Sequence, residues 1–494
     1  MPNELKLPLK DESSLKWYQG LDRYCWIVLM IAALAWLFDT MDQNLYNLVR
    51  PASMRSLLRF QFTDPVTHVV DQAGLKAAVD QKGGWINAIF LLGWGIGGLF
   101  FGVIGDRIGR VKTMVVTILI YALFTGLSGL ATNWQIYAVA RFLTAIGVGG
   151  EWAAGASLVA EVFPKRSRGM ALGMLQALSA FGNMLAAIIT LIIANLDRYW
   201  PIAYFIGFVP ALLVFWILRS VKEPEAWRLA KANASVGKEM GQISEMFTNR
   251  RLRKNAIVAV LLATAGIGGL WGIGFFSTNM VDGELRSGLN FAAMSEVEKD
   301  VVNTSIGRKI SVMFLIQQVG ALAGIYLFAI VAERMTRRLA FGTWFILAWG
   351  TILIFFWGLA GAGEKVFLLS LPLAFIMGFG TLGPFSGFSI YFPELFPTRC
   401  RTTGCGVGYN AARIVAAPAA LMIGNLSKWY AAKGYVGGKS FAMAATTVSV
   451  VYVVGLVTLL FAPETKGKGL PDDKEFEEDA PLERPAVATA GEGA

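Results

Sequence analysis

The sequence predicts an all-α membrane protein, with twelve transmembrane helices in two pseudo-symmetric six-helix bundles. Three observations carry this. Its 494 residues are 55% hydrophobic and 16% charged, with a mean hydropathy of +0.54, where a soluble chain carries about 25% charged residues. Twelve apolar runs each approach the ~20 residues that a spanning helix needs. The halves also repeat: AEVFPKRSRG (160–169) and PELFPTRCRT (393–402) align at an offset of 233, each after a Gly-rich helix, AIGVGGEWAAG and GFGTLGPFSGF. GDRIGRVK (105–112) has a weaker echo in AERMTRR (332–338). Internal repetition of this kind marks transporter folds whose site lies between the halves.

The predicted spans are 24–48, 84–104, 112–131, 134–162, 169–195, 201–219, 254–280, 307–331, 339–361, 365–391, 404–427 and 439–462. They divide the chain into an N-tail (1–23), a first bundle (24–219), a linker (220–253), a second bundle (254–462) and a C-tail (463–494). With both termini inside, the inside segments hold 28 Lys and Arg and the outside loops 14, while Arg141 and Arg413 lie within spans. That bias predicts cytoplasmic termini in a plasma (inner) membrane, because short cytoplasmic loops carry the excess of Lys and Arg. The net charge of +10 is therefore spread over loop anchors and does not suggest nucleic acid.

The first 23 residues have no apolar core, and no small-residue cleavage site follows the first run, which reads as a retained helix. The stretch 49–83 reads as a long outside loop. VKEPEAWRLAKANASVGKEM, in the linker, reads as an amphipathic helix or a plain connection. DDKEFEEDAPLERPAVATAGEGA, at the end, reads as a solvated tail without a fold of its own. Three cysteines (Cys25, Cys400, Cys405) provide no disulfide framework, and the only histidine, His68, falls in a polar loop. These counts argue against a metal centre, a cofactor or a membrane enzyme.

Polar residues inside the spans are the candidates for function, since an ionised Asp near a bilayer centre costs roughly 2.5–3.5 kcal/mol on insertion scales. Asp39, Asp42 and Tyr46 share one face of the first span. Asp39 and Asp42 lie roughly 22 and 27 Å along it, and Arg141 lies roughly 10 Å from the outer end of the fourth span. An Arg–Asp pair there lowers the cost of both charges. It is either a fixed structural pair or a switch, in which helix motion or cargo takes Arg141 away and the freed acid binds a proton. Glu151 follows Gly149 and Gly150, and is either a second proton carrier or an acceptor for neighbouring groups. Arg413 lies roughly 14 Å into the eleventh span, one turn after Tyr409 and Asn410. It needs an anion, from the protein or from a cargo carboxylate, to which its fork donates two parallel hydrogen bonds. Gln176, Ser179 and Asn183 share a face of the fifth span, and Gln317 and Gln318 fall in mid-span of the eighth. These are candidate cavity donors, and Trp94, Trp152, Trp271 and Phe275 are candidate walls.

GVIGDRIGRVK resembles the loop signature of the major facilitator superfamily, matched at Gly102, Asp106, Arg107, Gly109 and Arg110, with Val111 where a second base is usual. RFLTAIGVGGEWAAGASLVAEVFPKRSRG resembles the fourth span and following loop of the metabolite:proton and sialate:proton symporter branches. PELFPTRCRTTGCGVGYNAAR and PETKGKGLP look like the second-half counterparts, and FDTMD resembles the Asp-x-x-Asp of organic-acid symporters. The resemblance implies a rocking secondary transporter, with Asp39 or Asp42 and Arg141 as its proton-coupling pair. It also implies a cytoplasmic latch in which Asp106 caps or pairs with the other half and Arg107 and Arg110 bond acids such as Glu161. Glu161 with Arg168, and Glu394 with Arg399 or Arg401, would latch similarly, and Glu333 and Arg337 would be the second-half echo. The expectation is proton-coupled symport of a small organic anion by a monomer whose partners are its cargo, protons and the bilayer. The rivals are a sugar or polyol porter, an uncoupled uniporter, and a substrate-sensing receptor on the same scaffold.

Overall fold

The computed structural model describes residues 16–67, 70–193, 196–234, 239–287, 289–290, 294–435 and 437–476. His68 and the stretches 1–15 and 477–494 lie outside them. The first bundle is built from α1 (Arg23–Leu58), α2 (Gln72–Ile108), α3 (Arg110–Ser128), α4 (Trp134–Val162), α5 (Lys165–Ile192), and the broken sixth span, α6 (Leu196–Ile206) with α7 (Leu213–Ser220). Linker helices α8 (Glu225–Ala232) and α9 (Glu245–Thr248) follow. The second bundle holds α10 (Arg250–Gly272), α11 (Ser277–Ser287), α12 (Glu296–Arg334), α13 (Arg337–Leu359), α14 (Val366–Leu395), α15 (Arg401–Ala432) and the broken last span, α16 (Gly438–Ser449) with α17 (Val451–Thr458).

Among the described residues, eleven helical segments are long and apolar enough to cross a membrane. The 32-residue α15 takes the remaining position, packed on α2, α10 and α16. The helices are polar inward and apolar outward. On α3, Thr113, Thr117, Tyr121, Thr125 and Ser128 are buried while Val116, Leu119, Leu123 and Leu127 are exposed. That inversion suits a bundle immersed in lipid around a polar interior. The sixth span breaks where Tyr199 leaves helical geometry and again at the 3-10 turn Val209–Leu212, which holds Pro210. Proline has no amide hydrogen to continue the ladder.

Two expectations change, and in the linker one of two readings is met. The stretch 49–83 is mostly helical, because α1 runs on through Pro51 to Leu58 and α2 begins at Gln72, burying Leu58, Leu75 and Val79. In the linker, α8 is a defined helix whose Trp227 is buried and donates to the Asp106 carbonyl at 2.6 Å. The tail is not wholly solvated. A 3-10 turn at Asp473–Phe476 docks on the second bundle, burying Phe476, whose carbonyl accepts from Asn249 at 2.8 Å.

Glu464 starts this docked segment. Its carboxylate accepts the backbone N–H groups of Arg337 (3.0 Å) and Arg338 (3.2 Å) at the start of α13, and of Lys466 (2.9 Å). Partial burial pushes its pKa up, but these donors, joined by the Arg337 charge, outweigh it and hold the group below its ordinary 4.5. A carboxylate with a lowered folded pKa stabilises above its unfolded pKa, and that contribution disappears as pH falls through the folded value. Glu464→Gln should therefore lower the thermal midpoint at neutral pH. The gap from wild type should close as the pH is taken below 4.5, a titration that differential scanning fluorimetry in detergent can follow.

Candidate functional site

Polar side chains gather at two depths: a midplane site and a gate on the face that carries the linker and tail. In the first bundle, Asp42 accepts from Thr125 Oγ1 at 2.7 Å and faces Arg141 Nη1 at 3.7 Å, with both charges fully buried. Arg141 is held more tightly by neutral groups: Ser128 Oγ at 2.8 Å, Thr144 Oγ1 at 3.0 Å and the Phe124 carbonyl at 3.3 Å. The Tyr204 ring lies 4.8 Å from its guanidinium carbon, and Tyr204 shares a hydrogen bond with Tyr137. Arg141 thus keeps partners if Asp42 lets go. One turn away, Asp39 accepts from Gln43 at 3.2 Å through one oxygen, while its other oxygen, both oxygens of Glu151 and the Tyr121 hydroxyl have no hydrogen-bond partner among the described residues. Glu151, Asp42 and Arg413 all lie close enough to Asp39 for their charges to act on it.

Arg413 comes from the second bundle. Its guanidinium carbon lies 3.8 Å from the centre of the Trp94 ring and 4.1 Å from that of Tyr409, and Nη1 donates to Asn410 Oδ1 at 2.6 Å. It makes no ion pair within 4 Å among the described residues, and its Nε is unpartnered. A desolvated cation–π contact is worth about 2 kcal/mol, which offsets only part of the cost of burying a guanidinium. Aromatic contacts join the halves here: Trp152 stacks on Tyr409 with ring centres 4.0 Å apart and donates to Gln176 at 3.1 Å. Gln176 also accepts from Ser389 at 3.0 Å. Asn44 donates to Asn183 (2.5 Å), and Asn183 to Gln318 (2.9 Å). Asn44, Asn183, Gln317 and Gln318 line a hollow of about 40 Å³, room for about one water. In this conformation the halves meet across the midplane.

At the gate, Asp106 caps α15 in the opposite half, accepting from the backbone N–H of Thr402 (3.1 Å) and Thr403 (2.8 Å) and from Thr403 Oγ1 (2.6 Å). Glu161 is bound by Arg110 of its own half at 2.9 Å and by Arg401 of the other at 2.7 Å. Arg110 also donates to the Thr398 carbonyl at 2.7 Å. The close crossing of α2 and α15 needs Gly98, where a Cβ would lie 1.9 Å from Asn410 Nδ2. Gly109 sits at φ 121°, and a Cβ there would meet Glu223 at 2.2 Å. The glycine lets Glu223 bind the Arg110 and Lys112 backbone at 2.8 and 3.1 Å.

Several predicted pairings change partners. Arg107 donates to the Met240 carbonyl at 3.3 Å, because it points along the linker and away from Glu161. Arg168 folds back on the Ala160 and Phe163 carbonyls, leaving Glu161 to Arg110 and Arg401. Glu394 pairs with Arg337 at 2.9 Å and accepts from Thr465. Arg399 instead binds Glu245 and Asp473, which linker and tail bring alongside it. Glu333 pairs with Arg337 at 3.0 Å, and Gly102 faces the α15 backbone at Thr402 and Thr403. Tyr46 stacks on Phe90 with centres 4.9 Å apart, away from the Asn183–Gln318 hollow. The side chains of Trp271 and Phe275 lie outside the described residues. Nothing in the sequence singles out Thr125, Ser128, Thr144 and Tyr121, since hydroxyls are common on apolar helices. The position of Glu223 and Glu464 beside a proline, just after the last span of each half, is the signal that finds them.

Comparison with known proteins agrees with this geometry. A family model described as Major Facilitator Superfamily matches residues 32–297, and one described as Sugar (and other) transporter matches 300–475. A probable 4-methylmuconolactone transporter of Cupriavidus pinatubonensis is 28% identical over 92% of this chain and 94% of its own. The cis,cis-muconate transport protein of Acinetobacter baylyi is 27% identical over 78% and 86%, and a sialic acid transporter of Escherichia coli is 29% identical over 76% and 81%. Among solved structures, a proton:xylose symporter aligns with a TM-score of 0.66 at 18% identity, over 90% of this chain and 98% of its own. Two joined six-helix bundles, the crossed gate between them and a family model covering more than half the residues lead to one statement: the chain is a membrane transporter, not an enzyme, and belongs to the Major Facilitator Superfamily.

Proposed function

We propose that the protein is a proton-coupled symporter of a small organic anion, working by alternating access in the plasma (inner) membrane with both termini cytoplasmic. The observation that carries the anion is Arg413. It is buried at the meeting of the halves, ringed by Trp94 and Tyr409, and has no carboxylate within ion-pair reach among the described residues. A cargo carboxylate would accept from its unpartnered Nε, and the flat Trp152–Tyr409 stack would wall a planar acid. Relatives named for muconate and sialic acid support the same class.

Proton coupling is supported by the grouping of Asp39, Asp42, Glu151 and Arg141. The loose 3.7 Å contact between Asp42 and Arg141 can open without stranding the arginine. Proton binding at the acids and cargo binding at Arg413 would then be linked through the inward–outward equilibrium. A neutral cargo is the second reading, favoured by the sugar-transporter match at 300–475. In that case Arg413 answers to Asp39 instead.

Three measurements test this reading. In proteoliposomes with an imposed pH gradient, Asp42→Asn and Asp39→Asn should each stop accumulation of a carboxylate cargo against its gradient while leaving downhill exchange. If both variants still concentrate cargo, these acids are not the carriers. Arg413→Gln should weaken carboxylate binding by roughly ten- to a hundredfold, the worth of a charge-assisted hydrogen bond, and Arg413→Lys should rescue it only in part. Unchanged carboxylate affinity with lowered thermal stability would favour the neutral cargo. Glu161→Gln should open the gate, since breaking a buried ion pair costs about 3–5 kcal/mol. Labelling of Cys400 and Cys405, now buried at the gate, should rise; unchanged labelling would remove Glu161 from the latch.

A further inference from the structure

A cavity lies apart from the site, on the outer flank of the second bundle at the gate face. It is a groove of about 650 Å³ between α10 and α17, and it is graded along its length. Arg250, Arg253 and Lys254 occupy its gate-face end; Ile257, Val258 and Leu261 continue the same wall, and Val453, Val454, Val457, Thr458 and Phe461 form the other. The α10 residues follow helical spacing, so one stripe passes from charged to apolar. From residue 250 to 261 that stripe is roughly 16 Å long, about the depth of one leaflet's hydrocarbon layer.

Among the described residues, no acid lines the charged end. Arg250, Arg253 and Lys254 are exposed and form no ion pair among the described residues. Among the described residues Arg253 donates only to the Phe247 carbonyl, at 3.4 Å. The acids that the linker and tail bring nearby are engaged elsewhere, Glu245 by Arg399 and Glu475 by Arg251 at 3.5 Å. Three cations at headgroup depth above an apolar trough match one ligand: a phosphate-bearing anionic lipid with an acyl chain laid between the helices.

We infer that the α10–α17 groove is a binding site for an anionic phospholipid of the gate-face leaflet. Arg250, Arg253 and Lys254 hold its phosphate, and Val453, Val457 and Phe461 pack its chain. A zwitterionic lipid presents the same phosphate with a cation beside it, so the three basic residues discriminate against it.

The test uses the full chain in mixed phosphatidylglycerol–phosphatidylcholine micelles, with bound lipid counted by native mass spectrometry. Wild type should retain one phosphatidylglycerol in preference to phosphatidylcholine. Arg250→Gln, Arg253→Gln and Lys254→Gln should each reduce that preference by about fivefold, the effect of one basic side chain near an anionic surface. Val457→Trp should abolish retention with all three charges intact. Arg219→Gln, an exposed base on the same face but outside the groove, should change nothing. Equal retention of both lipids by wild type would overturn the site, as would an Arg219→Gln loss as large as that of the groove variants. So would a preference that appears only after Glu477, Glu478 and Asp479 are neutralised, since the acidic end of the chain would then be the occupant.

Discussion

Charge buried where water cannot reach must be answered by other charge or by hydrogen bonds, and this requirement organises the molecule. At the gate every buried ion is answered, often twice. Glu161 holds Arg110 and Arg401 together, and Asp106 salt-bridges Arg110 at 3.1 Å while capping α15. At the midplane the answers are incomplete: Asp39, Glu151 and Arg413 each keep at least one buried polar atom without a partner among the described residues. A fully satisfied network rigidifies, while an incomplete one in low dielectric has strong reason to take up a proton or an anion. Fastened edge and unfinished centre are the division of labour that the proposed alternating access requires.

The gate also shows how a duplicated chain departs from symmetry. Each half repeats an i, i+4 acid–base pair (Asp106–Arg110, Glu333–Arg337), an acid at the end of a long helix (Glu161, Glu394), and an acid just after the last span that binds the start of a helix (Glu223, Glu464). Arg168 and Arg401 even bond the matching carbonyls, Ala160 and Pro393, at 2.8 and 3.2 Å. Yet only Arg401 reaches an acid in the other half. The cross-half contacts run from Glu161 to Arg401, from Asp106 to the start of α15, and from Arg110 to the Thr398 carbonyl, so the first half supplies both latching acids. The latch is thus one-sided, where a symmetric arrangement would repeat it in the second half.

Linker and tail extend the gate. Trp227 reaches the Asp106 carbonyl, Glu245 and Asp473 hold Arg399, and Phe476 is seated by Asn249. Both connections therefore sit on the loops that form the gate. The lipid groove begins one residue beyond Asn249, at Arg250, so tail, α10 and the bilayer meet at one corner of the second bundle.

The sequence by itself determined the membrane class, the twelve spans, the two-fold repeat, and the charged residues that had to face inward. Each follows from composition or from period, and both are local or additive properties. The span 134–162 matched α4 to the residue, because Asn133 caps it and Phe163–Pro164 ends it. Only the tertiary structure decided which charge meets which. Arg168 and Arg401 occupy equivalent places in the repeat, and nothing in their neighbours says that one folds back while the other crosses. Likewise a tail of mixed charge reads as solvated until Phe476 finds a buried seat 227 residues away, at Asn249. Partner choice in a low dielectric depends on ångström distances between distant segments, and spacing along one chain does not encode them.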